Sequence, residues 1–202
     1  MNTNKKLLQE LLSNLDRISY IKPEDIPNIP LYMDQVTTFM DEHLSHSKRY
    51  PEDKVLTKTM INNYAKNNLL PPPAKKKYSK EHMLMLIFIY YFKNLLSFHD
   101  IEQIFKPLME NHFANTDGLS LEAIYREVFS LENAQMERLR ADVADKFEQA
   151  EHTFAGSDET DKEYLQLFAF ICTLAFDVYL KKQMIEAISD QLWKENEEPH
   201  KK

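Results

Sequence analysis

The sequence predicts an all-α protein, and three observations support this fold class. Only two of its 202 residues are glycine, which is very few for the tight turns of a β-rich or nucleotide-binding fold. Apolar residues recur at helical spacing along much of the chain. Hydrophobic residues make up 43% of the chain, so a folded core is expected rather than a disordered tail.

The N-terminal region predicts an amphipathic helix followed by a connector. Leucines and one isoleucine recur at helical spacing between residues 4 and 18. Three prolines in IKPEDIPNIP then favour an extended chain. We therefore assign residues 1–28 to an N-terminal amphipathic helix and a proline-rich connector. The next helix is expected from about Met33 to about Leu44.

Capping signals predict the helices of the central region. Thr57 can cap a short helix that ends near Asn68, because asparagine tolerates the left-handed conformation common at helix ends. Ser79 begins an apolar helix that extends to about Lys93. The SFHD stretch has capping-box spacing and opens a further helix, which we expect Pro107 to stop.

Two long helices are predicted in the C-terminal region. The first covers residues 119–154, and Gly156–Ser157 ends it. Its apolar stripe changes phase after Leu131, and the first part of the stripe consists of Leu121, Ile124, Val128 and Leu131. The second runs from Asp161 to about Glu195. Residues 119–198 contain 18 acidic and 8 basic residues, a net charge of −10.

The second long helix is rich in aromatic residues in its first half, which allows two interpretations. These residues could line a ligand pocket, or they could form a core, which we favour. Apolar residues occupy more faces of this helix than one neighbouring helix can cover. A dimer interface would bury the remaining apolar surface. We therefore predict residues 119–197 to be a helical dimerisation region, where an effector could also bind.

Localisation follows from the cysteine count and the length of the apolar stretches. The single cysteine, Cys172, excludes an internal disulfide framework and fits a reducing compartment. The N-terminus lacks the apolar core of a signal peptide. Met83–Phe92 and Leu167–Phe176 have about half of the ~20 residues that a membrane span needs. Both are predicted to be buried helices, and the protein to be soluble and cytoplasmic, with no membrane contact.

One stretch differs in charge from the rest of the chain. Residues 54–80 contain seven lysines and no Asp or Glu, although the net charge of the protein is −7. On a helical wheel of the Thr57 helix, Met60, Ile61 and Tyr64 fall on the inner side. The outer side is polar and cationic, with Lys58, Thr59, Asn62, Asn63 and Lys66. Three more lysines follow in PPPAKKKY: Lys75, Lys76 and Lys77.

These residue types suit DNA. Asparagine can make a bidentate pair with an adenine edge, and lysine and threonine suit phosphates or guanine. The arrangement predicts a recognition helix followed by a basic wing. The alternative is a lysine-rich loop that is merely solvated.

The stretch MINNYAKNNLLPPPAKKKYSKEH resembles the MerR-type winged helix-turn-helix, as does the later LLSFHDIEQIF. Residues 29–106 more closely resemble an uncharacterised bacterial domain-of-unknown-function family, number 1836, that carries this helix-turn-helix. The resemblance implies a winged helix-turn-helix with a minimal wing at 29–112, followed by a long-helix hairpin region. Asn62 stands where the MerR pattern has arginine.

Together these observations predict a sequence-specific transcriptional regulator that binds double-stranded DNA as a homodimer. Thr59, Asn62, Asn63 and Lys66 are expected in the major groove, and Lys58, Lys75, Lys76 and Lys77 on phosphates. The alternative is a helical protein-interaction module whose basic face binds an acidic protein partner. The asparagine in place of arginine favours this alternative somewhat.

No residue pattern indicates catalysis. His43 and His46 have no neighbours that complete a metal pattern, and we expect them to be exposed. Cys172 lies in an apolar helix, where a thiol is expected to be buried and inert. The sequence therefore predicts no enzyme, no cofactor and no metal.

Overall fold

The computed structural model describes residues 3–15, 20–115 and 118–197, and 69% of its residues are helical against 3% in strands. This confirms the all-α class. The helices are α1 Thr3–Leu15, α2 Met33–Leu44, α3 Lys58–Lys66, α4 Lys80–Phe92, α5 Phe98–His112, α6 Leu121–Ser130, α7 Glu132–Glu151 and α8 Glu159–Glu197. Two short strands, β1 Leu31–Tyr32 and β2 Lys77–Tyr78, pair antiparallel.

The chain divides into two compact units. The first, which we call the core unit, contains Tyr20–Phe129 and Ile185–Lys202. The second, which we call the hairpin unit, contains Met1–Ser19 and Ser130–Met184. Helix α8 therefore contributes residues to both units.

Helix α4 is the centre of the core unit. All residues from Met83 to Ile89 are buried as predicted, whereas the last three of the predicted stretch, Tyr90 to Phe92, are half-buried. A helix with apolar residues on every side needs neighbours on every side. Buried residues of α2, α3, α5 and α6 join the same core, among them Val36, Ile61, Ile101 and Tyr125.

Helix α5 continues through Pro107, so the prediction that this proline stops the helix is wrong. Proline lacks the N–H that would bond to the carbonyl of Gln103. The helix nevertheless extends to His112, and Leu108 and Met109 beyond the proline pack against the core. Tertiary packing outweighs the lost hydrogen bond at this position.

The region predicted as one helix over 119–154 is two helices, α6 and α7, separated at Leu131. The predicted phase shift of the apolar stripe lies at this break. The inner residues of α6 are Leu121 and Tyr125, whereas Val128, expected in the stripe, is 48% exposed.

The hairpin unit contains α1, α7 and the first part of α8. Phe147 and Phe170 meet edge to face with ring centroids 5.3 Å apart. The Nε2 of Gln166 donates to the carbonyl of Glu151 at 2.6 Å. These contacts make α7 and the start of α8 an antiparallel pair. Helix α1 ends at Leu15, and the predicted extension to Ile18 lies outside the described residues.

The apolar first half of α8 is largely exposed, so the prediction that Leu167–Phe176 is buried is wrong. Phe170 is 2% exposed, but Phe168, Ile171 and Phe176 are 50%, 54% and 64% exposed. In the described part of the chain, one helix, Asp161–Lys194, is long and apolar enough to cross a membrane by length and composition alone.

Candidate nucleic-acid interface

Helix α3 is anchored through one side only. The Thr57 hydroxyl accepts a hydrogen bond from the Met60 N–H at 3.2 Å, which confirms the predicted cap. Ile61 and Tyr64 are 0% and 2% exposed. Asn68 follows the helix with φ of 56°, the left-handed conformation expected there. The opposite side of α3 therefore faces outward.

The outward side carries the four residues predicted for the major groove. Thr59, Asn62, Asn63 and Lys66 are all exposed. Their side chains have no hydrogen-bond or ion-pair partner within the described part of the chain. Their donors and acceptors are therefore available to a ligand.

Lys58, predicted to bind phosphate, has an intramolecular partner. Its ammonium forms an ion pair with the carboxylate of Asp34 at the start of α2, and both side chains are exposed. Asp41 and Glu42 of α2 line a groove together with Lys58. Residues 54–80 contain no acidic residue, but acidic side chains of α2 lie beside them in the fold, at the N-terminal end of α3.

The predicted basic wing is a tight turn. The Lys77 N–H donates to the Ala74 carbonyl at 3.0 Å. The two residues between them, Lys75 and Lys76, have φ of 52° and 63°. Positive φ at both central positions defines a type I′ turn, which normally holds Asn–Gly. Both lysines are exposed and have no ion-pair partner among the described residues.

The base of this turn is the β1–β2 pair, in which Tyr32 lies opposite Lys77. The Lys77 ammonium is 4.9 Å from the centroid of the Tyr32 ring, a cation–π contact. Lys77 is accordingly half-buried, unlike the two lysines at the tip. Tyr32 is 54% exposed, and sequence reasoning missed it because its pairing partner is 45 residues away along the chain.

His82 lies beside the β1–β2 pair, with its ring centroid 5.5 Å from that of Tyr78 in β2. It is 5% exposed, and its Nδ1 accepts a hydrogen bond from the Ser79 N–H at 3.1 Å, at the N-cap of α4. Because Nδ1 is an acceptor here, the proton of the neutral ring is on Nε2. That atom is buried without a hydrogen-bond partner in the described chain. Burial lowers the pKa of His82, and the carbonyls of Pro72 and Pro71 partly offset this.

The lowered pKa of His82 predicts that the protein loses stability in mild acid. The unfolded chain takes up a proton near the ordinary histidine pKa of 6.5, whereas the folded chain resists it. This stabilisation is therefore complete above pH 6.5 and is lost as the pH falls from there towards the lower pKa of the folded protein. Urea unfolding at neutral pH and below pH 6 measures the loss.

The matched variants for this prediction are His82→Gln and His46→Gln. The first removes the buried ring and should reduce the difference between the two pH values. The second changes an exposed histidine and should leave that difference unchanged. An equal difference in wild type and His82→Gln would assign the acid sensitivity to other groups.

Three further residues carry side chains capable of chemistry. His46 is exposed as predicted, whereas His43 is half-buried, and its Nδ1 contacts the Phe39 carbonyl at 2.9 Å. Cys172 is half-buried rather than fully buried as predicted, because α8 leaves much of its surface uncovered. Among the described residues, no group of three or more His, Cys, Asp or Glu side chains could hold a metal ion.

The comparison with protein families identifies the region that contains α3, the β1–β2 pair and α4. No curated protein and no solved structure matches the chain. A family model described as "Domain of unknown function (DUF1836)" matches residues 21–128, which is more than half of the chain. The protein therefore belongs to the DUF1836 family.

Proposed function

We propose that the protein is a sequence-specific DNA-binding transcriptional regulator that acts as a dimer. The observation that carries the proposal is the outward face of α3, where four polar side chains lack any partner within the described chain. Exposed amides and a lysine on one helix face are the groups that read base edges in a major groove.

The wing adds the second part of the proposal. Lys75 and Lys76 extend from a turn that follows α3 after only a short proline segment. In the proposed arrangement, α2 and α3 form a MerR-type helix-turn-helix, and the β1–β2 pair with its turn forms the minimal wing. The two lysines would then bind phosphates beside the groove that α3 enters.

Two substitutions test this proposal because phosphate and base contacts respond differently. Lys76→Ala should weaken binding to all DNA sequences and reduce the slope of log affinity against log salt by about one unit. Asn62→Ala should relax the preference at one base position, by roughly 1–3 kcal/mol of discrimination. Both are measured by fluorescence anisotropy on a site selected from genomic fragments.

Lys6→Ala is the matched control, because it removes an equally exposed lysine from α1. It should leave affinity and salt dependence unchanged. If neither Lys76→Ala nor Asn62→Ala alters binding, α3 is not a recognition helix. Uniform retention of all fragments that disappears with added salt would favour the alternative, a basic face that binds an acidic protein partner.

A further inference from the structure

Helix α8 carries an exposed apolar stripe with the spacing of a coiled coil. Its members are exposed and follow one another at intervals of four, three, four and three residues: Tyr164, Phe168, Ile171, Ala175 and Val178. We call these five residues the α8 seam. A 4–3 repeat keeps apolar side chains facing a single partner helix.

The seam is not the face that the hairpin unit uses. Gln166 and Phe170, which pack towards α7, are 6% and 2% exposed. Seam residues are far more open: Phe168 is 50% exposed and Tyr164 is 67% exposed. The helix therefore has one occupied face and one uncovered apolar face.

The uncovered area is sufficient for a stable partner. A large apolar side chain buries ~150–250 Å² when fully covered, so half-exposed ones leave on the order of 100 Å² each. With the exposed neighbour Tyr179, the seam presents on the order of 600 Å² to solvent. Standard interfaces bury about 600–1,000 Å² per partner, so the seam is at the lower end of that range.

We propose that the α8 seam binds the α8 seam of a second copy of the chain, with the two helices antiparallel. A two-fold axis at the level of Thr173 then sets Phe168 opposite Val178 of the second copy and Ile171 opposite Ala175 of the second copy. Each layer joins a larger side chain to a smaller one, which fills space evenly. This deepens the proposed function and rests on the dimer proposed there.

Charge at the C-terminal end of the seam selects the antiparallel order. Lys182 follows Val178 by four residues and so continues the repeat, next to the exposed Lys181. In a parallel pair Lys182 would face Lys182 of the second copy. In the antiparallel pair, with the two-fold axis at Thr173, Lys182 lies opposite Tyr164 of the second copy. The antiparallel order therefore avoids a like-charge contact on the seam.

A lipid bilayer fits the same face less well. The uncharged run from Tyr164 to Phe176 has 13 residues, whereas a span needs ~20. Asp177 follows directly, in an ion pair with Lys146 at 2.8 Å. Its charge would lie near the middle of any span built on this helix.

The mass of the protein in solution tests whether the α8 seam pairs two chains. Light scattering on the purified chain should give twice the 24.0 kDa of one copy. Phe168→Glu should reduce this to one copy with an unchanged helical circular dichroism spectrum, because the side chain is exposed. Leu180→Glu is the matched control: Leu180 is 58% exposed and lies off the seam, so this variant should remain a dimer.

Cross-linking tests the helix order, since Cys172 is the only cysteine. A short bis-maleimide should join two wild-type chains, because Cys172 lies one residue from the proposed axis. In the double variant Cys172→Ser, Tyr179→Cys the two thiols would be about 18 Å apart along the helices, and the reagent should not join them. A parallel pair would be joined in both proteins.

The inference is overturned if the wild type is monomeric, if Phe168→Glu remains a dimer, or if the Tyr179→Cys protein is joined efficiently. Flotation with phosphatidylcholine–phosphatidylglycerol vesicles that Phe168→Glu abolishes would assign the face to lipid instead.

DNA affinity is measured on the same samples. A dimer without DNA affinity contradicts DNA recognition and leaves the seam standing, whereas a monomer that binds DNA contradicts the seam and the proposed dimer and leaves DNA recognition standing.

Discussion

Replacing Lys75 by Asn and Lys76 by Gly should make the protein more stable and weaken its binding to DNA. Both lysines have left-handed φ, 52° and 63°, which costs about 1–2 kcal/mol per residue with a Cβ. Asn–Gly is the pair that a type I′ turn favours. We expect the free energy of unfolding in urea to rise by about 2 kcal/mol. The salt slope of DNA binding should fall by about two units, one for each lost ammonium.

The double variant Lys75→Ala, Lys76→Ala separates the two effects. It removes both charges but keeps a Cβ at each strained position, so DNA binding should weaken while stability stays near that of wild type. If the Asn–Gly variant is no more stable than wild type, the turn is not strained. If its salt slope is unchanged, the wing does not contact phosphates.

Tyr125→Ala should lower the free energy of unfolding by about 3–5 kcal/mol, because it removes a large ring from the centre of the core unit. Tyr125 is 0% exposed, and its ring centroid is 4.3 Å from that of Phe129 and 5.3 Å from that of Phe88. Its hydroxyl donates to the Ile21 carbonyl at 2.7 Å. Chemical unfolding followed by circular dichroism measures the loss.

Two further variants separate the contributions of the Tyr125 hydroxyl and of its buried position. Tyr125→Phe keeps the ring and leaves the buried Ile21 carbonyl without this donor, so it should cost about 1–3 kcal/mol. Val128→Ala changes an exposed residue of the same helix and should have an effect within about 0.5 kcal/mol. If Tyr125→Ala costs no more than Val128→Ala, α6 does not belong to the core.

The sequence predicts the central helices well because their signals are local. Thr57 and Ser97 cap α3 and α5 as their spacing indicates, and Asn68 adopts the left-handed conformation predicted for it. The inner and outer faces of α3 follow from a helical wheel. These features depend on residues within one or two turns of each other.

The remaining features depend on contacts between residues distant in sequence. Asp34 pairs with Lys58 from a different helix, so charge counting along the chain does not reveal it. Packing keeps α5 helical through Pro107, whereas intrinsic propensity predicts a stop. The exposed face of α8 could not be foreseen, because composition shows that residues are apolar but not which of them are covered.

The order in which the core unit is synthesised follows from its division along the chain. Ile185 packs against the core formed by residues 21–125, and the Trp193 ring lies 5.0 Å from that of His99. Residues 185–197 leave the ribosome after Ser130–Met184, so they complete a unit whose other residues were made much earlier. Removing residues 185–197 should therefore disturb the DUF1836 region itself. The fluorescence of Trp193, the only tryptophan, will report when that region has finished folding.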